Sequence, residues 1–248
     1  MVILADSGSA SETIFATERP ALPLAPHEFW QEIYPAGTFD TRPADGFRGL
    51  YPAQLPDGRQ IALPIRVLPE GGKAVASLIV NQASFAVEDA LVDTMVGLAR
   101  PFAPEVVIGV PTLGLPLANG VARRLGHKRM VALGTSRKFW YRDELSEPMK
   151  SITSPTASKT LYVDPRMLPL LRGQRVAVID DVISSGQSMG AVLRLLAKAE
   201  IEPTVIGCAM LQGTNWHDPL APWRDRVVAP LASPRFARND SDRWTPVA

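Results

Sequence analysis

The 248-residue chain predicts an α/β fold: a Rossmann-like, doubly wound, mostly parallel sheet preceded by an N-terminal β-meander. Three observations carry this prediction. Beyond Val106 short apolar runs alternate with helical patterns. Upstream, three extended segments follow one another with only turn residues between them. Last, four apolar residues at 176–179 end in two adjacent acids, Asp180 and Asp181. A strand buried on both faces reads as a continuous apolar run, and paired carboxylates at its end would be wasteful in a core.

Taken in order, residues 1–42 are rich in Ser, Ala, Thr and Pro with little periodicity, and form an arm anchored only around 28–34. Residues 43–82 hold the meander. Its segments at 47–55, 60–67 and 74–80 are separated by Pro56-Asp57-Gly58 and Glu70-Gly71-Gly72. Val87, Leu91, Met95 and Leu98 then mark one face of a helix that Ser84 caps and Pro101 ends. The core, 83–213, continues with strands at 106–110, 130–133, 160–163, 176–179 and 204–211, and helices at 115–125, closed by Gly126, and 188–199. A tail, 214–248, is rich in Arg and Pro and carries Trp216, Trp223 and Trp244.

Composition bounds the function. A net charge of +1 without a basic block lacks the electrostatic footprint of a nucleic-acid binder. The longest apolar stretch, 106–118, is broken by Pro111 and Pro116 and is too short to span a bilayer. Residues 1–4 are apolar but Asp6 follows at once, with no basic n-region or long apolar run, so no secretory signal and a cytoplasmic location are expected. A single cysteine, Cys208, excludes an internal disulfide and reads as a buried, inert thiol. His27, His127 and His217 have no metal-ligand or nucleophile spacing and read as surface histidines.

The informative segment is 176–188. In open α/β sheets ligands bind beyond the carboxyl ends of the strands, and here Ser184, Ser185, Gly186, Gln187 and Ser188 lead from the acids into a helix. Hydroxyls, backbone N–H groups and the positive helix end would cradle a phosphate monoester, while the carboxylates accept hydrogen bonds from sugar hydroxyls. The ligand implied is a sugar phosphate. A second loop, Pro111-Thr112-Leu113-Gly114, lies between a core strand and its helix, where backbone N–H groups are again presented. Residues 135–158 form a long segment with Arg137, Lys138, Arg142 and Lys150 interleaved with Trp140 and Tyr141, and a loop of this length in a compact core is functional or disordered.

Residues 176–188 resemble the phosphoribosyl diphosphate signature of the type I phosphoribosyltransferases: four apolar residues, two acids, three variable residues, then Thr-Gly-x-Thr, with Ser185 and Ser188 keeping the hydroxyls. The resemblance covers about residues 80–212. It implies a glycosyltransferase that moves the 5-phosphoribosyl group from phosphoribosyl diphosphate to a nitrogenous base, a purine, with release of diphosphate. It also implies Mg²⁺ held mainly by the substrate, with Asp180 or Asp181 as the available protein ligands, and a homodimer. Asp180 and Asp181 would hold the ribose, and residues 184–188 the 5′-phosphate. Residues 111–114 would take the diphosphate through backbone contacts, since this loop lacks the charged or Ser side chains common in relatives. The segment 135–158 is similar to the family's lid, with Arg137 and Lys138 standing where the adenine and xanthine branch carries its Arg-Lys pair. Asn81 resembles a base-contacting Asn in the hood, the element that covers the base. Gln212 stands where xanthine-using relatives carry a Lys against the base, and the loss of that charge counts against xanthine itself; Ser184 stands where the human-type guanine and hypoxanthine enzymes carry an acid, so the resemblance points to the adenine, xanthine and purine-repressor branch.

Two rivals follow from the same signature. A phosphoribosyl diphosphate-sensing transcriptional regulator would keep the pocket without catalysis but needs a DNA-binding element, and residues 1–80 offer no helix-turn-helix and no basic face. A phosphoribosyl diphosphate synthetase shares the acidic signature but needs a second nucleotide site.

Overall fold

The computed structural model describes residues 24–151 and 154–247, so the first 23 residues of the expected arm lie outside the described residues. The anchor at 28–34 is present. Phe29 and Trp30 are buried, the Trp30 indole N–H donates to the Ser77 carbonyl at 2.8 Å, and β1 (Ile33–Tyr34) pairs with the meander.

The meander forms as expected, with β2 (Leu50–Gln54), β3 (Gln60–Val67) and β4 (Lys73–Ala76) in antiparallel register. A turn over Val80–Gln82 leads to α1 (Phe85–Ala99). Ser84 caps it, its hydroxyl accepting from the Val87 N–H at 3.2 Å, and Val87, Leu91 and Met95 are fully buried, while Leu98 is only half-buried. The helix ends at Ala99 because Pro101 cannot continue its hydrogen bonding.

The core strands are β5 (Val106–Gly109), β6 (Val131–Ala132), β9 (Val176–Ile183) and β10 (Pro203–Gln212), joined at the far edge by β11 (Val227–Val228) and β12 (Leu231–Ser233). The order is β11 and β12, then β10, β9, β5 and β6, and every pair is parallel. Helices α1 and α2 (Leu115–Arg124) cover one face, with Leu91, Met95, Leu117 and Val121 in one apolar cluster. Helix α3 (Gln187–Lys198) covers the other with Met189, Leu193 and Leu196. Helices on both faces of a parallel sheet make the doubly wound fold that the alternation predicted.

Two expectations are corrected. Residues 160–163 do not join the core sheet. They end β8 (Ser154–Tyr162), the return strand of an antiparallel hairpin with β7 (Ser146–Ser151), whose pairing to the sheet region is one bridge between Gly134 and Tyr162. The long segment 135–158 is accordingly a turn followed by a hairpin rather than an irregular loop. Its first strand escapes periodicity because Ser146-Glu147-Pro148-Met149-Lys150-Ser151 alternates weakly and contains a proline. The hairpin lies on α3, where the largely buried Glu147 carboxylate receives Arg194 Nε and Lys198 Nζ, each at 2.7 Å.

Beyond Gly213 the chain is woven into both sheets. After β11 and β12, β13 (Arg235–Arg238) pairs antiparallel with β4 and β14 (Trp244–Val247) extends that sheet. Phe236 is fully buried and meets Phe47 and Tyr51 edge-on at centroid distances of 5.8 and 5.5 Å, a favourable quadrupole arrangement. This antiparallel sheet, the meander's, is therefore built from chain segments about 160 residues apart. Among the described residues no helix is long and apolar enough to cross a membrane.

Candidate active site

Because the core strands are parallel, the segments after β5, β6, β9 and β10 all emerge at one edge of the sheet. These are residues 110–114, 133–142, 184–188 and 213–220, and the edge is where an α/β sheet binds ligands.

The acid pair sits on β9 itself, which runs two residues farther than its apolar core before the polar turn. Asp180 is buried at 7% exposure and its Oδ1 accepts the Asp181 backbone N–H at 2.8 Å, while Asp181 is half-buried. Burial, and then the neighbouring Asp181 charge, push the Asp180 carboxyl well above its ordinary range. Burial raises Asp181 as well. Neighbouring carboxyls repel when both ionise, which adds to burial in raising Asp180.

The Pro111–Thr112 peptide is cis, and the loop it belongs to presses directly on the acids. A Cβ placed on Gly114 would lie 2.7 Å from the Asp180 Cα and 2.9 Å from its Oδ1, so only glycine permits this approach. Pro111 and Leu113 are half-buried and Thr112 is exposed. Thr112 and Asn81 line one open cavity of about 620 Å³ together with Leu115 and Asn119 of α2. Asn81 is exposed on the turn before α1.

The turn after β9 builds the cradle. Gly186, at φ +76°, is the residue before α3, and Ser185 Oγ accepts the Gln187 N–H at 3.3 Å. The N–H groups of Ser188 and Met189, in the first helical turn, have no intrahelical carbonyl to bond. They point, with the positive helix end, out of the sheet edge. Ser184, Ser185 and Ser188 are half-buried and Gln187 is exposed. A signal that sequence reading missed lies behind Gly186, whose Cβ position would be 3.1 Å from Pro219 and 3.3 Å from the Trp216 Cα. The segment after β10 thus backs the cradle, its Trp216 indole N–H donating to the Gly213 carbonyl at 3.1 Å. No local pattern in the tail could have revealed that packing.

Arg137 and Lys138 stand on the turn after β6, both exposed, with Arg137 Nε 2.9 Å from the Asp143 carboxylate. Beyond Lys138 the far end of the turn is held by aromatics: Trp140 lies under the Arg166 guanidinium at 4.4 Å and Tyr141 stacks beside Tyr162 at 5.6 Å. Gln212 is buried and its Nε2 donates to the Ala76 carbonyl of β4 at 2.7 Å. His27 is exposed, whereas His127 and His217 are half-buried, His217 against the Trp216 ring. Cys208, buried opposite Asp180 on the neighbouring strand, is the inert thiol expected, its pKa driven up by burial.

Among the described residues no group of three or more His, Cys, Asp or Glu could hold a metal ion. The acid pair can offer a cation two carboxyls at most, which fits a metal that arrives on its substrate and does not fit a protein-held metal centre.

The phosphoribosyl transferase domain model matches residues 85–225, more than half of the chain. Among solved structures, adenine phosphoribosyltransferase from Giardia lamblia, complexed with 9-deazaadenine, shares 20% identity over 68% of this chain and 93% of its own, with a TM-score of 0.56. The adenine phosphoribosyltransferase of Thermoanaerobacter pseudethanolicus shares 14% over 69% and 95%, with a TM-score of 0.54. That of Trypanosoma brucei, in complex with AMP, pyrophosphate and ribose-5-phosphate, shares 15% over 79% and 81%, with a TM-score of 0.52. At these identities the likeness is one of fold. No curated protein sequence matches the chain.

Proposed function

Because the chain belongs to the phosphoribosyl transferase domain family, we propose that it transfers the 5-phosphoribosyl group from phosphoribosyl diphosphate to a purine base, releasing diphosphate. The observation that carries this reading is the contact between Gly114 and Asp180, which joins a backbone-lined loop, a buried acid pair and a phosphate cradle at one sheet edge.

In the reaction a ring nitrogen of the base forms a bond to C1 of the ribosyl group as the C1–O bond to diphosphate breaks, the electron pair leaving with the diphosphate. The base loses the proton of that nitrogen to solvent. Ser185, Gly186, Gln187 and Ser188, with Ser184 at the rim, fix the 5′-phosphate through hydroxyls and free N–H groups. Asp180 and Asp181 hold the ribose hydroxyls, and their remaining negative charge favours the cationic sugar in the transition state. Residues 111–114 receive the departing diphosphate through backbone N–H groups. Arg137 and Lys138 neutralise it once the turn after β6 folds over the site, and Arg137 exchanges its Asp143 partner for the diphosphate as it does so. Asn81 contacts the base from the hood side. Mg²⁺ held by phosphoribosyl diphosphate, with Asp180 or Asp181 as the available protein ligands, would offset the charge of the diphosphate. A cytoplasmic homodimer belongs to the same proposal, on the strength of the family resemblance alone.

The sensing-regulator alternative gains nothing from these findings, since the matching family model is a transferase domain. The deciding experiment incubates the protein with phosphoribosyl diphosphate, Mg²⁺ and a panel of purines, pyrimidines and other nitrogen heterocycles, and reads diphosphate release and nucleotide mass. A purine-dependent nucleotide is expected. Binding of phosphoribosyl diphosphate with no transfer to any base would refute the transferase reading.

A further inference from the structure

One buried hydroxyl has no internal explanation. Ser233, at the end of β12, is 5% exposed, and its Oγ has no hydrogen-bond partner among the described residues. Leaving such a group unpaired is costly, and native structures leave few without a purpose. Ser233 is the register partner of Gln212 on β10. Partners in a parallel ladder project to the same face, and Gln212 shows which face it is, because its amide reaches the Ala76 carbonyl of the hood. Two buried polar side chains therefore stand together at the sheet edge where hood and core meet, and one of them is unpaired.

The proposed reaction says what belongs there. Displacement at C1 brings the base in opposite the leaving diphosphate. The diphosphate loop follows β5 and the ribose acids lie on β9, so the base extends from β9 away from β5, over β10 and β12. Cys208 is the partner of Asp180 and Leu211 that of Ile183, so Gln212 and its partner Ser233 lie one and two strands over from β9 and farther along it, level with the turn that follows the acids, where a base carried on the ribose would project. We propose that Ser233 is a specificity-determining residue whose Oγ hydrogen-bonds the far edge of the purine, with Gln212, held by the Ala76 carbonyl, fixing the wall beside it. The inference rests on the transferase reading and deepens it. A hydroxyl and a carboxamide carry no charge, so they suit a neutral purine presenting a donor next to an acceptor, the edge that Gln side chains pair with in adenine.

Steady-state kinetics of Ser233→Ala and Ser233→Thr against adenine, hypoxanthine and guanine, each with phosphoribosyl diphosphate, test the inference. For Ser233→Ala, kcat/KM on the preferred base is expected to fall about tenfold or more, the cost of one lost hydrogen bond in a dry site. The other bases should change less, KM for phosphoribosyl diphosphate should stay within about twofold, and thermal stability should hold, because the substitution removes an unpaired group. Ser233→Thr keeps the hydroxyl and should keep the order of preference. Unchanged kcat/KM on all three bases, or a fall shared equally by all three with a lowered melting temperature, would overturn the inference while leaving the transferase reading intact. A wild-type protein that transfers to none of them would remove that reading, and this inference with it.

Discussion

Gly114→Ala tests the site at the point where its geometry is tightest. Gly114 has φ −76° and ψ −14°, a conformation open to alanine, so the substitution adds no backbone strain. Its whole effect comes from the new methyl group, which would lie 2.7 Å from the Asp180 Cα and 3.0 Å from its carbonyl carbon. Carbon atoms in contact sit about 3.5 Å apart, so the loop and β9 must separate by about 0.8 Å. Neither side yields by rotating a side chain, since the obstacle is backbone. Overpacking of this kind costs about 1–3 kcal/mol of stability. The catalytic effect should be larger: a misplacement near 1 Å between diphosphate site and ribose site costs about 100-fold in rate. The assay is diphosphate release at saturating base while phosphoribosyl diphosphate is varied, alongside a thermal melt. A fall of about 100-fold in kcat/KM for phosphoribosyl diphosphate, with a melting point lowered by only a few degrees, is expected. A variant that melts lower yet turns over like the wild type would refute the claim that residues 111–114 and Asp180 form one site.

Asp180→Asn should lower turnover about 100-fold or more yet raise the melting temperature at pH 7. Burial and Asp181 hold the Asp180 carboxyl above its ordinary 3.8, so the folded protein binds that proton more tightly than the unfolded chain, and stability falls as pH rises from about 4 through the raised value. Melting curves between pH 4 and 8 should show this slope weakened in the variant. Ser188→Ala should raise KM for phosphoribosyl diphosphate about tenfold, one charge-assisted hydrogen bond, with kcat on saturating substrate less affected. Glu147→Gln should cost about 1 kcal/mol or less, because Arg194 and Lys198 remain largely exposed. Hydrogen bonds from Lys198 and Arg194 hold Glu147 below its ordinary 4.5, so its contribution is present above that pH and is lost as pH falls through the lowered value, and the two proteins should converge in acid melts. Cys208, buried and raised by burial, should resist a thiol reagent in the native protein and react stoichiometrically in denaturant.

What the sequence made legible was local. Ser84 announces α1, and Val87, Leu91 and Met95 give its buried face, because a cap and a 3.6-residue period are written within one turn or two. The acids and serines of 176–188 were readable for the same reason: strand, turn and helix start are consecutive. The hairpin of β7 and β8 was not, since Pro148 and the polar residues around it carry no clear alternation, and what holds it is distant in the chain: Met149 and Leu161 are buried with Met189 and Leu193 of α3, and Glu147 meets Arg194 some 47 residues onward. Nor could periodicity show that Phe236 buries itself against Phe47, or that β13 completes the hood beside β4.

That distant pairing matters for function because it decides how the tail acts. Gly186 needs its positive φ to turn the chain from β9 into α3, and the space it leaves is filled by Trp216 and Pro219 from beyond β10. Gly213, which starts that segment, is held by its N–H to the Ser233 carbonyl at 2.8 Å, and the next residues enter β13 of the hood. A single stretch of chain therefore supports the phosphate cradle at one end and, through β12 and β13, the cover of the proposed base site at the other. The parallel core alone would supply acids and loops at its edge, but the side of the cradle facing Gly186 and the hood strand beside β4 would both be missing. The residues that bring those two halves into fixed relation are thus the least readable part of the sequence, because their role is set by partners on strands far away in the chain and not by their own pattern.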